Sequence, residues 1–246
     1  MTMDLSKSAA LAGLLAMTLT ACGGGGGGTS SAAPAPAPVA TSFPVQQGLA
    51  YAFTHGLQAT LTVTGSTTNG SVTYPLTGTL TYTLGAVVNA TFNGAAVQQA
   101  TETISGTISG NGTTTPLSTS SQLYVNAQYT PVGSNESGSY CVASSTGGYP
   151  ATATAGQTGD IATFSCYADS SKRTLLSTQK ITYVTTAGSD SNSLNFQMLS
   201  NVYDAANKSL GSTGTTYTIT AAGVPKLSRI QMTEIVSGIS FTIDAK

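Results

Sequence analysis

Charged side chains are scarce. They make up only 7% of the 246 residues, with 8 basic against 9 acidic groups. A nucleic-acid-binding protein needs a clustered excess of lysine and arginine to replace the counterions of the phosphate backbone, so this class is excluded. The same shortage excludes a basic helix that lies on a membrane surface. It does not predict disorder, because disordered chains combine high charge with low hydrophobicity, and this chain is 40% hydrophobic.

Tryptophan is absent, and histidine occurs once, as His55. A Ser-His-Asp triad would have to use His55, yet no G-x-S-x-G motif supplies a nucleophile. The segment 177–180 has S-x-x-K spacing, but it lies in a strand-like run, where residues three apart point to opposite faces. A metal site would have a single imidazole available. We therefore predict no catalytic, cofactor-binding or metal-binding residues and no enzyme activity.

Threonine is abundant, with 42 residues, and tyrosine contributes 11. Such β-branched and aromatic side chains favour strands. Apolar residues alternate with threonine from about Phe43 onward, the period of a half-buried strand. Asn69-Gly70 predicts a hairpin, and Pro75 predicts an edge strand or bulge. After the first 21 residues, no stretch has the periodicity and capping residues of a helix. We predict an all-β domain, in which an antiparallel meander forms a curved sheet, a sandwich or a partly open barrel.

The predicted strands are most regular in the C-terminal third, where short turns separate them. Nine apolar residues there alternate with polar neighbours and are expected to share one buried face. If they lined an open concavity instead of a packed layer, ligand binding would be favoured over a structural role. The nine are Ile181, Tyr183, Leu194, Phe196, Met198, Tyr217, Ile219, Ile230 and Met232. The predicted strands are 57–64, 72–76, 80–84, 99–109, 122–130, 139–143, 161–168, 174–186, 193–204, 215–221, 226–235 and 239–244.

The N-terminus carries the features of an export signal. Lys7 precedes an apolar run of 12 residues, 9–20, which is too short to span a bilayer and suits a signal peptide. The run leads into Leu19-Thr20-Ala21-Cys22, which resembles the lipobox of bacterial lipoproteins. The resemblance implies cleavage before Cys22, a diacylglyceryl (palmitate-type) anchor on its sulfur and an acylated amine. The alternative is a simple secretory peptide with an incidental cysteine. Gly23 at the next position implies, by the rule of that family, transport to the outer membrane.

A tether separates this anchor from the domain. Six glycines at 23–28 predict a flexible coil, and the alternating Ala-Pro segment 33–40 predicts an extended spacer. The chain is thus divided into a signal peptide at 1–21, a lipidated cysteine and disordered linker at 22–42, and a single all-β domain at 43–246.

Two further cysteines, Cys141 and Cys166, fall within predicted strands of the domain. Export implies an oxidising compartment, in which such a pair forms a disulfide. Its Cα atoms are then expected to lie roughly 4.4–6.8 Å apart. The alternatives are two buried thiols or part of a metal site.

The segment 129–230 resembles uncharacterised β-rich lipoproteins of Gram-negative proteobacteria. The resemblance depends on Tyr129-Thr130-Pro131-Val132-Gly133, Gly156-Gln157-Thr158-Gly159, 167–172 and Tyr217-Thr218-Ile219. It covers about 100 residues and implies a β-rich fold without a known activity. The cysteine pair departs from the pattern of that group.

These features predict a lipid-anchored protein of the cell envelope, held in the outer membrane through Cys22, without a nucleic-acid partner. The favoured function is a non-catalytic structural or interaction module whose protein partner is unknown. One alternative is a module that binds a glycan or an apolar lipid, because tyrosines offer stacking faces and a curved sheet can cradle a lipid. Another is a hydrolase, for which two carboxylates facing each other across a cleft would be needed.

Overall fold

In the computed structural model, residues 42–136, 138–236 and 239–246 are described. None of their helices is long and apolar enough to cross a membrane. One helix precedes thirteen strands. The elements are α1 (Val45–His55), β1 (Leu57–Asn69), β2 (Val72–Leu84), β3 (Val88–Phe92), β4 (Ala95–Gly110), β5 (Thr113–Val125), β6 (Pro131–Glu136), β7 (Ser139–Thr146), β8 (Thr158–Tyr167), β9 (Leu175–Ala187), β10 (Ser193–Asp204), β11 (Ser209–Thr220), β12 (Pro225–Val236) and β13 (Ile239–Ala245).

The strands form a closed antiparallel barrel, so the predicted all-β class and meander are confirmed. From β4 to β13 each strand pairs with the next in sequence, β13 pairs with β1, and β1 pairs with β2. The additional pairing of β2 with β4 closes the ring. All thirteen strands except β3 belong to the ring, which therefore has twelve. Closure leaves the ring without a free lateral edge over most of its height.

Helix α1 corrects the expectation that no helix follows the leader. Val45, Leu49, Ala52 and Phe53 are buried on one face, at the spacing i, i+4, i+7 and i+8 of an amphipathic helix. With only 11 residues and a glycine at position 48, its helical propensity is marginal. Packing against the barrel therefore stabilises it.

The helix closes one end of the barrel. Its backbone contacts the rim where Phe53 O accepts a hydrogen bond from Val87 N at 2.8 Å. Its side chains reach other loops, since Phe53 stacks on Tyr129 with ring centroids 5.9 Å apart. Gly48 allows the closest approach, because a Cβ there would lie 3.2 Å from the Cγ2 atom of Ile219. We call this end the helix end.

A hairpin of β3 and β4 braces the outer wall. Phe92 is buried and stacks on Tyr124, with centroids 4.1 Å apart, and contacts Tyr140 at 5.0 Å. Its ring lies over Gly133, where a Cβ atom would collide with the ring. At the hairpin tip, Asn93 accepts a hydrogen bond of 2.7 Å from Lys172, in the β8–β9 turn. Sequence analysis did not predict β3.

The largest error in the strand prediction concerns β5 and β6. Segment 122–130 was predicted as one strand, whereas β5 ends at Val125 and β6 begins at Pro131. Residues 113–121 were missed because their Thr and Ser side chains provide little apolar alternation and Pro116 interrupts them. Most of residues 113–121 pair with β4 alone, so their other side is a free edge of the sheet, where proline is tolerated.

The start of β11 was also predicted too late, since it begins at Ser209 and not at residue 215. The hairpin at Asn69-Gly70 is confirmed. The edge at Pro75 is confirmed as well, because β2 pairs with β4 only from Leu76 onward.

The nine apolar residues of the C-terminal third share the interior face, as predicted. Cross-strand pairs place them in rows, for example Leu194 beside Ile219 and Tyr183 beside Met198. Five are fully buried, namely Leu194, Phe196, Tyr217, Ile219 and Ile230, and the other four are partly buried against the same core. Several line an internal space instead of a packed layer, which is the outcome that favours ligand binding.

Candidate functional site

A cavity of about 280 Å³ lies inside the barrel. A closed apolar cavity of roughly 150 Å³ is enough to hold benzene, so this one is large enough for a small ligand. Near the helix end its lining is apolar and includes side chains of α1 itself. These apolar residues are Leu49, Ala52, Phe53, Leu84 and Val125, while Phe164 and Ile230 line the wall farther along the barrel.

The lining becomes polar toward the opposite end. Short hydroxyl side chains project there from six neighbouring or facing strands, together with the side chains of Gln179 and Glu136. The hydroxyl-bearing residues are Thr119, Ser121, Ser134, Ser139, Ser177, Ser200 and Thr213. The space is therefore amphipathic along the barrel axis. It is apolar at the helix and mixed away from it, where hydroxyl groups lie beside apolar side chains such as Val202 and Met232.

Glu102 belongs to a polar network that crosses the lumen. Its Oε2 accepts a hydrogen bond of 3.3 Å from Ser121 Oγ on the neighbouring strand, and its carboxyl also bonds to the Tyr82 hydroxyl. The Tyr82 and Tyr217 hydroxyls lie 3.4 Å apart. Since β2 and β11 are four strands apart in the ring, this contact links two parts of the wall.

Glu136 is the last residue of strand β6, at the point where the barrel wall is shortest. Strand β6 ends at Glu136, opposite Ser121, but β5 continues to Thr113 with β4 as its only partner in the described chain. A shallow polar depression occupies this notch, lined by Ser120, Gln122, Asn135 and Gly138 together with Ser121 and Glu136. Ser121 and Glu136 also line the main cavity. Glu136 therefore lies between the cavity and the outside.

Burial makes both carboxyl groups weaker acids. Burial raises the pKa of Glu102, although hydrogen bonds from Tyr82 and Ser121 oppose the rise. Burial, with a smaller contribution from the negative charge of Glu102, raises the pKa of Glu136 to about 7. Burial also raises the pKa values of the Tyr82, Tyr149 and Tyr217 hydroxyls, which stay neutral at physiological pH.

No lysine, arginine or histidine is among the described residues that line the cavity. The ion pairs of the described chain lie elsewhere. Lys180 pairs with Asp160 at 2.9 Å, and Arg229 pairs with Asp244 at 2.6 Å. The two lining carboxyl groups thus have no cationic side chain beside them in the cavity.

His55 lies away from the cavity, at the exposed C-terminal end of α1. Its ring stacks on Tyr51, with centroids 4.1 Å apart, and its Nδ1 lies 2.8 Å from Thr54 Oγ1. It therefore belongs to helix α1, an element that sequence analysis did not predict. In the described residues, no group of three or more His, Cys, Asp or Glu side chains is placed to hold a metal ion.

Cys141 and Cys166 face each other on β7 and β8 and are joined by a disulfide, which confirms the predicted pair. Their Cα atoms are 3.9 Å apart, below the expected range. The cysteines occupy directly opposite positions of adjacent strands, where Cα atoms approach most closely. The disulfide lines the cavity wall. The predicted lipidation site, Cys22, lies outside the described residues.

Sequence analysis missed Glu102 and Glu136 as site residues. A signal existed for Glu102, because it alternates with Ala100 and Ile104 and so occupies the interior face of β4. No comparable signal marked Glu136, because strand β6 itself was not predicted.

Comparison of the chain with protein-family models, with curated proteins and with solved structures finds no match in any of the three. No activity or ligand is therefore carried over from a relative, and function is inferred from the cavity itself.

Proposed function

We propose that the domain is a binding module that holds one small, largely apolar molecule inside the barrel. The observation that carries this proposal is the amphipathic cavity of about 280 Å³. At roughly 30 Å³ for each water-sized group, it has room for about nine heavy atoms. Apolar walls with a few convergent polar groups are the usual composition of a small-molecule site.

The cavity favours ligand binding over a purely structural role. An interior that serves stability alone is close-packed, since every void forfeits dispersion contacts and costs roughly 24 cal/mol per Å³. Burying Glu102 without a cation costs further free energy. A bound molecule that fills the space would offset both costs.

The lipobox and tether support a location for this module. We propose that Cys22 carries the lipid anchor and that the chain resides in the cell envelope, attached to the outer membrane. The tether joins the domain just before Phe43, whose backbone pairs with that of Ala153 at the helix end.

Titration with octanol tests the binding function, because its nine heavy atoms match the cavity. A gain of about 0.5 kcal/mol per heavy atom, well below the ceiling of roughly 1.5 kcal/mol for very small ligands, gives about 4 kcal/mol over nine atoms. We expect saturable binding with a dissociation constant of about 1 mM or tighter by calorimetry. T213F should abolish it by filling the cavity, whereas S212F, on the outer face of the same strand, should leave it unchanged.

Folding of both variants is checked by circular dichroism. Absence of octanol binding to the wild type, or equal binding to wild type and T213F, would overturn the proposed function.

We further propose that the module is not an enzyme. Glu102 and Glu136 are two carboxyl groups in one cavity, the feature that would favour a hydrolase. However, they project from strands separated only by β5 and so belong to one side of the wall. Glycoside hydrolysis needs carboxyl groups on opposite sides of the scissile bond. Hydrolysis of aryl glycoside or ester substrates above the buffer rate would contradict this proposal.

A further inference from the structure

We infer that the molecule held in the barrel carries a positively charged amine head group. The amine lies between Glu102 and Glu136, and its apolar tail extends toward the helix end. This inference rests on the proposed binding function and adds the chemical class of the ligand, a short cationic amphiphile.

The charged residues that line the cavity favour a cationic head group. Two carboxyl groups line the cavity, and no cationic side chain of the described lining balances them. Once the two groups are ionised, an anionic head group would be repelled by both carboxylates, and a neutral one would leave their charge uncompensated. An ammonium group supplies the missing charge, and in the low dielectric of the interior this attraction is stronger than in water.

The positions of the Glu102 and Glu136 carboxyl groups suit a single ammonium group. Glu102, Ser121 and Glu136 lie directly opposite one another on β4, β5 and β6. The backbones of the two glutamates are therefore about 10 Å apart, or two strand spacings. Their side chains point into the same interior. An ammonium group has three N–H donors, so that it can bond to both carboxylates and to a hydroxyl such as that of Ser121.

The hydrogen bonds of the two carboxyl groups differ in the way that a ligand site requires. Glu102 is held by Ser121 and Tyr82. Glu136 has no side-chain hydrogen bond to any described residue, and it faces the notch through which a ligand can enter. Glu102 thus provides a positioned acceptor, and Glu136 provides an acceptor still free to bond.

The neighbouring aromatic rings suit a cation as well. Tyr82, Tyr149 and Tyr217 line the cavity, and the electron-rich faces of aromatic rings attract ammonium groups within about 6 Å. Beyond them the walls toward α1 are apolar, as an alkyl tail requires. With about nine heavy atoms to place, the head group and a tail of about eight carbons fill the space.

Proton linkage gives this ligand class a distinct signature. Every described titratable group that lines the cavity is an acid or a phenol, namely Tyr82, Glu102, Glu136, Tyr149 and Tyr217. The free protein holds a proton on Glu136 below about pH 7. An ammonium ligand favours the ionised carboxylate, so that its binding releases this proton. The affinity for an amine therefore rises as the pH is raised from 5 to 8, while the affinity for an alcohol falls or stays constant.

The test compares three ligands with the same tail, namely octylamine, octanol and octanoate, by calorimetry at pH 5, 6.5 and 8. We expect octylamine to bind at least tenfold more tightly than octanol at pH 8, and octanoate to bind most weakly. E136Q should remove most of this preference. D190N removes a carboxylate from an exposed turn at the helix end and should retain the preference.

The outcomes separate this inference from the proposed function. If octanol binds as well as octylamine, or if octanoate binds best, the head group is not an amine, although the binding function stands. If E136Q and D190N lower the preference equally, net charge and not the site accounts for it. If none of the three binds, the proposed function fails and this inference fails with it.

Discussion

At the scale of single residues, Glu102 and Glu136 show that two carboxyl groups in one cavity can differ in the hydrogen bonds that they receive. Both lie in the wall of one cavity, and burial makes both weaker acids. Glu102 receives hydrogen bonds that partly stabilise its ionised form, whereas Glu136 receives none from the described residues. Burial raises the pKa of Glu136 to about 7, so the charge of this group changes near neutral pH.

Glu136 makes the stability of the domain depend on pH. Its folded-state pKa, about 7, lies above the ordinary value of a carboxyl group, so that the folded state binds the proton more tightly. Ionising Glu136 in the folded state lowers the free energy of unfolding. This loss is absent below about pH 4.5, develops as the pH rises toward 7, and is complete above pH 7. We expect E136Q to stabilise the domain at pH 8 relative to pH 5 by about 1–2 kcal/mol, allowing for partial solvation.

Urea unfolding of the wild type and E136Q at pH 5 and pH 8 measures this difference. D190N serves as the control, because Asp190 lies in an exposed turn. The free energy of unfolding of D190N should depend on pH as that of the wild type does. The same pH dependence in E136Q as in the wild type would refute the prediction.

At the scale of elements, short segments outside the regular alternation shape the cavity. Helix α1 covers one end of the barrel, and its Leu49, Ala52 and Phe53 form part of the lining. The short hairpin of β6 and β7 creates the notch, and the β3–β4 hairpin supports the wall beside it through Phe92. The long strands enclose the space, while these segments decide where it is closed and where it is accessible.

Removal of the Phe92 ring tests the bracing role of the hairpin. F92A should lower the free energy of unfolding by about 3 kcal/mol, because the ring is buried between tyrosines. V88A is the matched control on the same strand, since Val88 is 60% exposed, and should change stability by about 0.5 kcal/mol or less. Equal effects of the two substitutions in urea unfolding would show that the hairpin does not brace the wall.

The disulfide links β7 to β8 across 25 residues of sequence. Its removal in a C141A/C166A double variant frees this loop in the unfolded chain, which should lower the free energy of unfolding by about 3 kcal/mol. Reduction of the wild type should produce a similar loss. Unfolding curves that coincide for oxidised wild type and double variant would contradict a stabilising role.

At the scale of the whole molecule, the barrel is closed by contacts between residues far apart in sequence. Strand β13 pairs with β1, from Val63 opposite Ala245 to Asn69 opposite Ile239, and β2 bypasses β3 to pair with β4. The chain enters the domain at the helix end, where Phe43 is held by Ala153.

Lipidation of Cys22 is the prediction that places this molecule in the envelope. Mass spectrometry of the membrane-extracted protein should show a chain that begins at Cys22 and carries a diacylglyceryl group, because two or more acyl chains give stable attachment. C22S should prevent both the modification and cleavage at this position. A mature chain that begins elsewhere, or an unmodified Cys22, would contradict the prediction.

Several features of the domain were determined by the sequence itself. Period-two alternation depends on neighbours along the chain, so it predicted the strand 193–204, the hairpin at Asn69-Gly70 and the shared face of residues such as Phe196 and Tyr217. The cysteine pair followed from the number of cysteines and the inferred compartment.

Only the tertiary structure decided the features that make a site. Helix α1 was missed because its marginal propensity is overcome by packing against loops distant in sequence. Strands β3 and β6 are short, and β5 owes its first half to β4 and not to its own alternation. Closure of the ring through β2 and β4 turned a curved sheet into an enclosed space. Glu102 and Glu136 share that space because strand pairing, a long-range property, brings positions 34 residues apart onto one wall.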